Sequence, residues 1–353
     1  MRKLEGVVAK GLYLYVLAMG LFHLYTAVFG SFEAYLQRAI HLTWVLPMCF
    51  VLYPFLPASE PLKNNTVPWY DWILAGLSAL PGFYIIANYD EIMMRMQGVD
   101  DLTTAQLVLG ALLIVLLLEG TRRIVGLPIV IVALSFTVCT YFCDAPFLPK
   151  VLQGVPTEFD RLIEGMFLTD EGIFSSSLGV SATFVMIFLI FGGFLEKSGV
   201  GEYFMEFAQA FTGTAAGGPA KIAVLSSALF GSISGSAVAN VYGTGSFTLP
   251  LMKRIGYQSH FAGAVEAVAS TGGQIMPPVM GAGAFVMAAL LGVPFNAIMI
   301  AAVLPALLYY GTVLLMVHLT ALKDGLKGLP AEELPTVKSV VKKLYMMAPI
   351  VLL

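Results

Sequence analysis

Two stretches carry side chains that could do chemistry within an otherwise apolar chain. In Leu229-Phe230-Gly231-Ser232-Ile233-Ser234-Gly235-Ser236-Ala237-Val238-Ala239-Asn240, Ser232, Ser234, Ser236 and Asn240 gather around glycines that permit a tight turn. Ala269-Ser270-Thr271-Gly272-Gly273-Gln274-Ile275-Met276-Pro277-Pro278 answers it, with Glu266 just before. Hydroxyls, an amide oxygen and freed backbone carbonyls are hard oxygen ligands for a cation, whereas freed amides suit a carboxylate. Backbone that leaves the helix inside a membrane is tolerated only where it is buried in protein or lines a cavity. Paired interruptions of this kind mark the binding sites of secondary transporters. Gly231-x-x-x-Gly235 alone would read as helix packing; the density of polar residues around it favours a site. An intramembrane carboxylate such as Glu266 is costly enough to suggest function, the other reading being a paired or protonated structural group.

The surrounding chain must hold these stretches in a membrane. Of 353 residues, 58% are hydrophobic and 12% charged, with mean hydropathy +0.84, whereas soluble domains carry about 25% charged residues. The net charge of −3 supports neither nucleic-acid binding nor a polybasic surface role. Cys49, Cys139 and Cys143 form no metal or disulfide framework, His23, His41, His260 and His318 are scattered singly, and there is no phosphate-binding loop. The serines at the tip have no His or Lys near them in sequence, which argues against intramembrane catalysis.

Apolar runs predict spans over Gly11–Gly30 (a retained signal anchor), His41–Leu56, Trp69–Asn88, Thr104–Leu118 and Ile124–Cys143. Arg2, Lys3 and Lys10, then Lys63, then Arg122 and Arg123 fall on one side. Asp90, Glu91, Asp100 and Asp101, against only Arg95, fall on the other, and the Glu33–Arg38 loop is uninformative. The positive-inside rule then places the N-terminus in the cytoplasm. Outside, Phe159, Leu162, Ile163, Met166 and Phe167 form the apolar face of an amphipathic helix, with Glu158, Asp160, Arg161 and Glu164 opposite. It either rests at the interface or offers an acidic docking surface. A sixth span, Val180–Leu195, ends near Glu196 and Lys197. An in-plane helix follows on Val200, Tyr203, Phe204, Phe207, Ala208 and Phe211.

Lys221 precedes the first polar stretch, and Lys253 and Arg254 follow it, so both flanks read as cytoplasmic. Ile222–Met252 is too short for two spans, which need about 40 residues and a turn. It reads as a re-entrant hairpin with its tip at Ser234-Gly235-Ser236. Ser259–Leu291 reads as two half-helices broken at Thr271-Gly272-Gly273 and at Pro277-Pro278, because proline lacks the amide hydrogen a helix needs. The carbonyl end of the first favours a cation and the amide end of the second a carboxylate. A return span, Phe295–Leu319, and a basic loop follow. The run Leu344–Leu353 is too short to span, so the sequence is expected to stop within a helix.

The motifs Gly231–Asn240, Gly243-Thr244-Gly245, Lys253-Arg254-Ile255-Gly256-Tyr257 and Glu266–Met280 resemble the large membrane subunit of tripartite ATP-independent periplasmic (TRAP) transporters, and most closely the TAXI subgroup, whose permeases are often fused. Glu119-Gly120-Thr121-Arg122-Arg123-Ile124-Val125-Gly126 resembles the entry to that subunit. The resemblance implies an all-α polytopic elevator transporter with two inverted repeats, of which this chain carries the first. Residues 1–103 would be small-subunit-like helices, 104–179 connecting helices with the outer amphipathic segment, and 180–353 the first half of the transport core. It implies a sodium-driven inner-membrane importer of small carboxylates, fed by a TAXI-type periplasmic binding protein. It has no cofactor beyond the coupling sodium ions, and a second permease half is required if the chain is whole. Ser232, Ser234, Gly235, Ser236, Asn240, Thr271, Gly272 and Gly273 would hold sodium. Ser236, Gln274, Pro277 and Pro278 would face substrate, with Glu266 supporting. Relatives outside the TAXI group often carry an acid near the position of Asn240. The rival readings are a symporter needing no binding protein, a membrane enzyme and a channel.

Overall fold

The computed structural model describes residues 2–55, 66–144, 153–154 and 157–348. Lys63 and the end of the run Leu344–Leu353 lie outside them. The described residues are helical without strands, and five helices are long and apolar enough to cross a membrane: Gly6–Phe29, Trp69–Ala87, Thr104–Ile124, Ser176–Leu195 and Phe295–Lys323. The chain forms two compact units, Met1–Thr183 and Phe184–Leu353.

The first unit contains α1 (Gly6–Phe29), α2 (Ala34–Leu52), α3 (Trp69–Ala87), α4 (Tyr89–Met94), α5 (Thr104–Ile124), α6 (Leu127–Tyr141), α7 (Phe159–Phe167) and α8 (Ser176–Val180). Residues Tyr35, Ala39, Leu42, Leu46 and Phe50 of α2 recur at helical spacing and bury their stripe against α3, α5 and α7. The expected second and fifth spans form helices, α2 and α6, that are not among those five, and α2 begins earlier than the apolar run suggests. Glu33 caps α2 through the amide of Tyr35 at 2.8 Å, so Arg38 belongs to the helix rather than to a loop, and it donates to the carbonyl of Phe174 at 2.7 Å. Three of the basic residues that marked one side, Arg2, Arg122 and Arg123, are internally paired. Arg2 is buried, bonded to the carbonyls of Phe50 and Val51 and to Asp71, and Arg123 meets the other oxygen of Asp71 at 2.7 Å.

The amphipathic α7 forms as expected, with Ile163 and Phe167 packed against α5, but two of its residues depart from the helical-wheel reading. Phe159 is exposed, and Glu164 is 4% exposed rather than on a solvated face. Arg95, Arg161 and the amide of Gly98 surround the Glu164 carboxylate within 2.9–3.4 Å. An acidic docking surface therefore does not survive at Glu164.

The second unit contains α9 (Met186–Lys197), α10 (Val200–Thr212), α11 (Gly218–Ser234), α12 (Ala237–Ile255), α13 (Ser259–Gly272), α14 (Ala282–Leu291), α15 (Phe295–Lys323) and α16 (Val337–Lys342). On α10, Val200, Tyr203, Phe204 and Ala208 are buried as predicted, whereas Phe211 is exposed. Lys343 bonds Glu206 of α10 at 2.7 Å, and that hydrogen bond raises its ammonium above the ordinary lysine range. The helices α11 and α12 form an antiparallel hairpin against which α13 packs. Their 17 and 19 residues rise about 25 and 28 Å, longer than the arms expected from the apolar run.

Candidate functional site

The hairpin tip turns where the sequence predicts. Ser234 ends α11, Gly235 takes a left-handed φ of +58°, and the Ser236 hydroxyl caps α12 by accepting from the amide of Ala239 at 3.3 Å. A β-carbon on Gly235 would lie 1.9 Å from the carbonyl oxygen of Met280, so only glycine fits between the tip and the interrupted helix.

The interruption lies slightly later than expected. Helix α13 runs through Thr271 and Gly272, a short 3₁₀ turn covers Gly273–Ile275, and α14 begins only at Ala282. Pro277 and Pro278 have no amide hydrogens to continue the ladder. Two backbone bonds stitch the gap: the amide of Val279 donates to the carbonyl of Ser232 at 3.1 Å, and that of Gly281 to Gln274 at 2.8 Å. The carbonyls at the end of α13 are less free than predicted. Those of Val268 and Ala269 accept from the hydroxyls of Tyr309 and Tyr310, and that of Ser270 accepts from Asn240.

Hairpin and break touch backbone to backbone. A β-carbon on Gly231 would stand 2.4 Å from the Cα of Gly273, and one on Gly273 would stand 2.7 Å from the Cα of Gly231. Asn240, fully buried, spans this contact. Its Nδ2 donates to the carbonyls of Ser227 at 2.8 Å and Ser270 at 3.4 Å, while its Oδ1 is buried with no partner among the described residues. The Oγ of Ser234 is likewise buried and unpartnered. Such orphans carry a desolvation cost of about 1–3 kcal/mol each unless something binds them.

The remaining predicted residues divide. Ser232 spends its hydroxyl on the carbonyl of Leu229 at 2.7 Å. Thr271 is exposed and bonds the carbonyl of Ala267, and Gly272 lies against the rings of Tyr309 and Tyr310. Ser234 and Ser236 open onto a cavity of about 490 Å³ beside the hairpin, walled by Phe188, Gly192, Gly193 and Phe230. Gln274, Pro277 and Pro278 do not line that cavity. Glu266, 1% exposed, accepts from Thr244 at 2.6 Å, Thr248 at 2.5 Å and Ser270 at 3.3 Å, with no cationic side chain bonded to it among the described residues. Thr244 and Thr248, missed in the sequence, lie on α12 at i+4 and i+8 from Asn240, a helical spacing that could have revealed them.

Polar residues gathered at a hairpin tip and a helix break are a pattern found at transporter binding sites. The chain belongs to the family described as tripartite ATP-independent periplasmic transporter, DctM component, whose model matches residues 112–353. It is similar to the C4-dicarboxylate TRAP transporter large permease protein DctM of Pseudomonas aeruginosa, at 32% identity over 45% of this chain and 36% of that protein. The sialic acid TRAP transporter large permease protein SiaM of Vibrio cholerae is 25% identical over 58% of this chain and 43% of its own. The isethionate TRAP transporter permease protein DctMQ of Oleidesulfovibrio alaskensis is 32% identical over 27% and 15% respectively. In each case the chain covers less than half of the relative.

Proposed function

We propose that the chain is the permease component of a sodium-coupled TRAP importer of small organic acids. It resides in the bacterial inner membrane with its N-terminus in the cytoplasm and receives substrate from a TAXI-type periplasmic binding protein. The hairpin is read as re-entrant and the second unit as part of an elevator's moving body. One observation carries the reading: the orphaned Oδ1 of Asn240, held where Gly231 and Gly273 bring two interrupted backbones together. A buried carbonyl oxygen with no donor is the group a dehydrated cation would satisfy. Carboxylate substrates are supported by relatives named for C4-dicarboxylate and sialic acid, and organic anions more broadly by one named for isethionate, a sulfonate.

The test is uptake into proteoliposomes supplied with the binding protein. Asn240→Ala and Gly273→Leu are expected to abolish sodium-stimulated uptake while the protein still inserts. Undiminished uptake in both variants would overturn the site assignment.

A further inference from the structure

The histidines that look solitary in the sequence are joined in the first unit. Nδ1 of His23 lies 2.7 Å from the carbonyl of Met19, and its Nε2 lies 2.9 Å from Nδ1 of His41. Nε2 of His41 lies 3.1 Å from the hydroxyl of Ser181. His23 is 0% and His41 3% exposed. The proton positions follow by elimination. A carbonyl only accepts, so Nδ1 of His23 carries its proton and, in the neutral ring, Nε2 is bare. His41 must then donate from Nδ1, which leaves its own Nε2 to accept from Ser181.

We infer that His23 and His41 constitute a single-proton site, whose neutral form ties α1 and the π-helical turn Ser181–Val185 to α2. One added proton can enter at Nε2 of His41, where Ser181 reverses from donor to acceptor and every other bond persists. A second would have to enter at Nε2 of His23, setting a donor against the N–H of His41, so the pair holds one. The tie matters because α1 is otherwise sparsely attached to α2. Tyr15 bonds the carbonyl of Trp44 at 2.9 Å, and Gln37 reaches Thr26 at 3.4 Å. Gln37 also reaches the carbonyl of Ala182 at 3.5 Å, which binds the same turn.

No carboxylate is bonded to either ring among the described residues. On α2, Arg38 is the nearby cation, held by the Phe174 carbonyl, and Glu33 is engaged by Tyr35 and Tyr89. On α1, Tyr25 is exposed, and before α8, Asp170 and Glu171 are exposed. A proton on the pair therefore brings an uncompensated buried charge, which opposes the packed arrangement. Packing favours the neutral pair, so loading the proton on acidification should loosen the tie between α1 and α2. In the orientation proposed above, the site lies toward the outer ends of α1 and α2, where external pH varies.

The experiment is ¹⁵N NMR of the full chain, labelled at histidine and held in nanodiscs, between about pH 8 and pH 5. Single variants His23→Gln and His41→Asn assign the signals. Thermal unfolding is followed over the same range. At pH 8 both rings should be in the Nδ1–H tautomer, and acidification should add one proton shared by the pair. The native melting midpoint should fall on acidification, and that of the doubly substituted His23→Gln/His41→Asn chain, which keeps an acceptor and a donor but no titrating ring, should fall less. An Nε2–H tautomer at His23, two independently titrating rings, or parallel melting of the two proteins would overturn the proposal. Should the double variant fail to insert, the tautomer and proton count of the native chain decide alone.

Discussion

Gly273→Ala adds one methyl group at the point where the hairpin and the interrupted helix meet, and its cost can be worked from the geometry. The new β-carbon would stand 2.7 Å from the Cα of Gly231 and 3.1 Å from Nδ2 of Asn240. Ordinary contact begins at 3.4 Å, so the backbones must part by 3.4 − 2.7 = 0.7 Å. The atom in the way is backbone and cannot rotate aside. The 3.4 Å bond from Asn240 to the carbonyl of Ser270 has no slack to absorb such a shift. Overpacking costs about 1–3 kcal/mol and a lost hydrogen bond about 1 kcal/mol, giving about 2–4 kcal/mol in all. Gly283→Ala is the matched control: it lies in α14 with nothing within 4 Å of its β-carbon. There alanine should stabilise by about 0.5–1 kcal/mol through reduced backbone entropy. Thermal unfolding of both variants in one detergent, each with and without sodium, reads the difference. If Gly273→Ala unfolds no earlier than Gly283→Ala, the close contact is not a constraint of the folded protein and the reasoning fails.

Asp71→Asn should destabilise the first unit by about 3–5 kcal/mol, because it leaves the buried Arg2 without its carboxylate, while Arg123 keeps Glu119 at 2.7 Å; a denaturation curve matching the native one would contradict this. Gly110→Val should detach α7 from α5, since even a β-carbon at Gly110 would lie 2.6 Å from Cγ2 of Ile163. Protease sensitivity over residues 157–168 is the readout, and an unchanged cleavage pattern would contradict the packing.

What the sequence made legible is what depends on local backbone chemistry. Ser234-Gly235-Ser236 announces its turn because glycine tolerates the left-handed conformation and serine caps the next helix, and the turn lies there. The helix break was legible in kind but not in place. Thr271 and Gly272 remain helical: the Thr271 hydroxyl bonds the carbonyl of Ala267, and the rings of Tyr309 and Tyr310 flank Gly272. Both rings arrive from α15, distant in sequence. The prolines set the break, because a missing amide hydrogen is a local fact that no tertiary contact restores. Charges and histidines read worst. Glu164 looked solvated until Arg95, from another loop, reached it. His23 and His41 looked unrelated because their spacing carries no periodic signal; only the antiparallel run of α1 and α2 brings the rings together. A pairing that depends on helix register across two chain segments leaves no trace in either segment alone.

An amide, rather than an acid, suits position 240 in this chain for a related reason. Nδ2 of Asn240 faces two carbonyl oxygens, those of Ser227 and Ser270, which only a donor can satisfy. A carboxylate there would set an anion against both and would require a bound cation or a proton to remain buried. One layer away, the Glu266 carboxyl lies 2.6 Å from the hydroxyl of Thr244, which also stands 2.9 Å from the backbone carbonyl of Asn240. Asparagine therefore holds the two interrupted backbones together by donation and offers only a neutral oxygen on its remaining side. An ion bound there would be held by neutral dipoles. The glycines fix the spacing of these groups, since a β-carbon at Gly231 or Gly273 would fall 2.4 or 2.7 Å from the other's Cα.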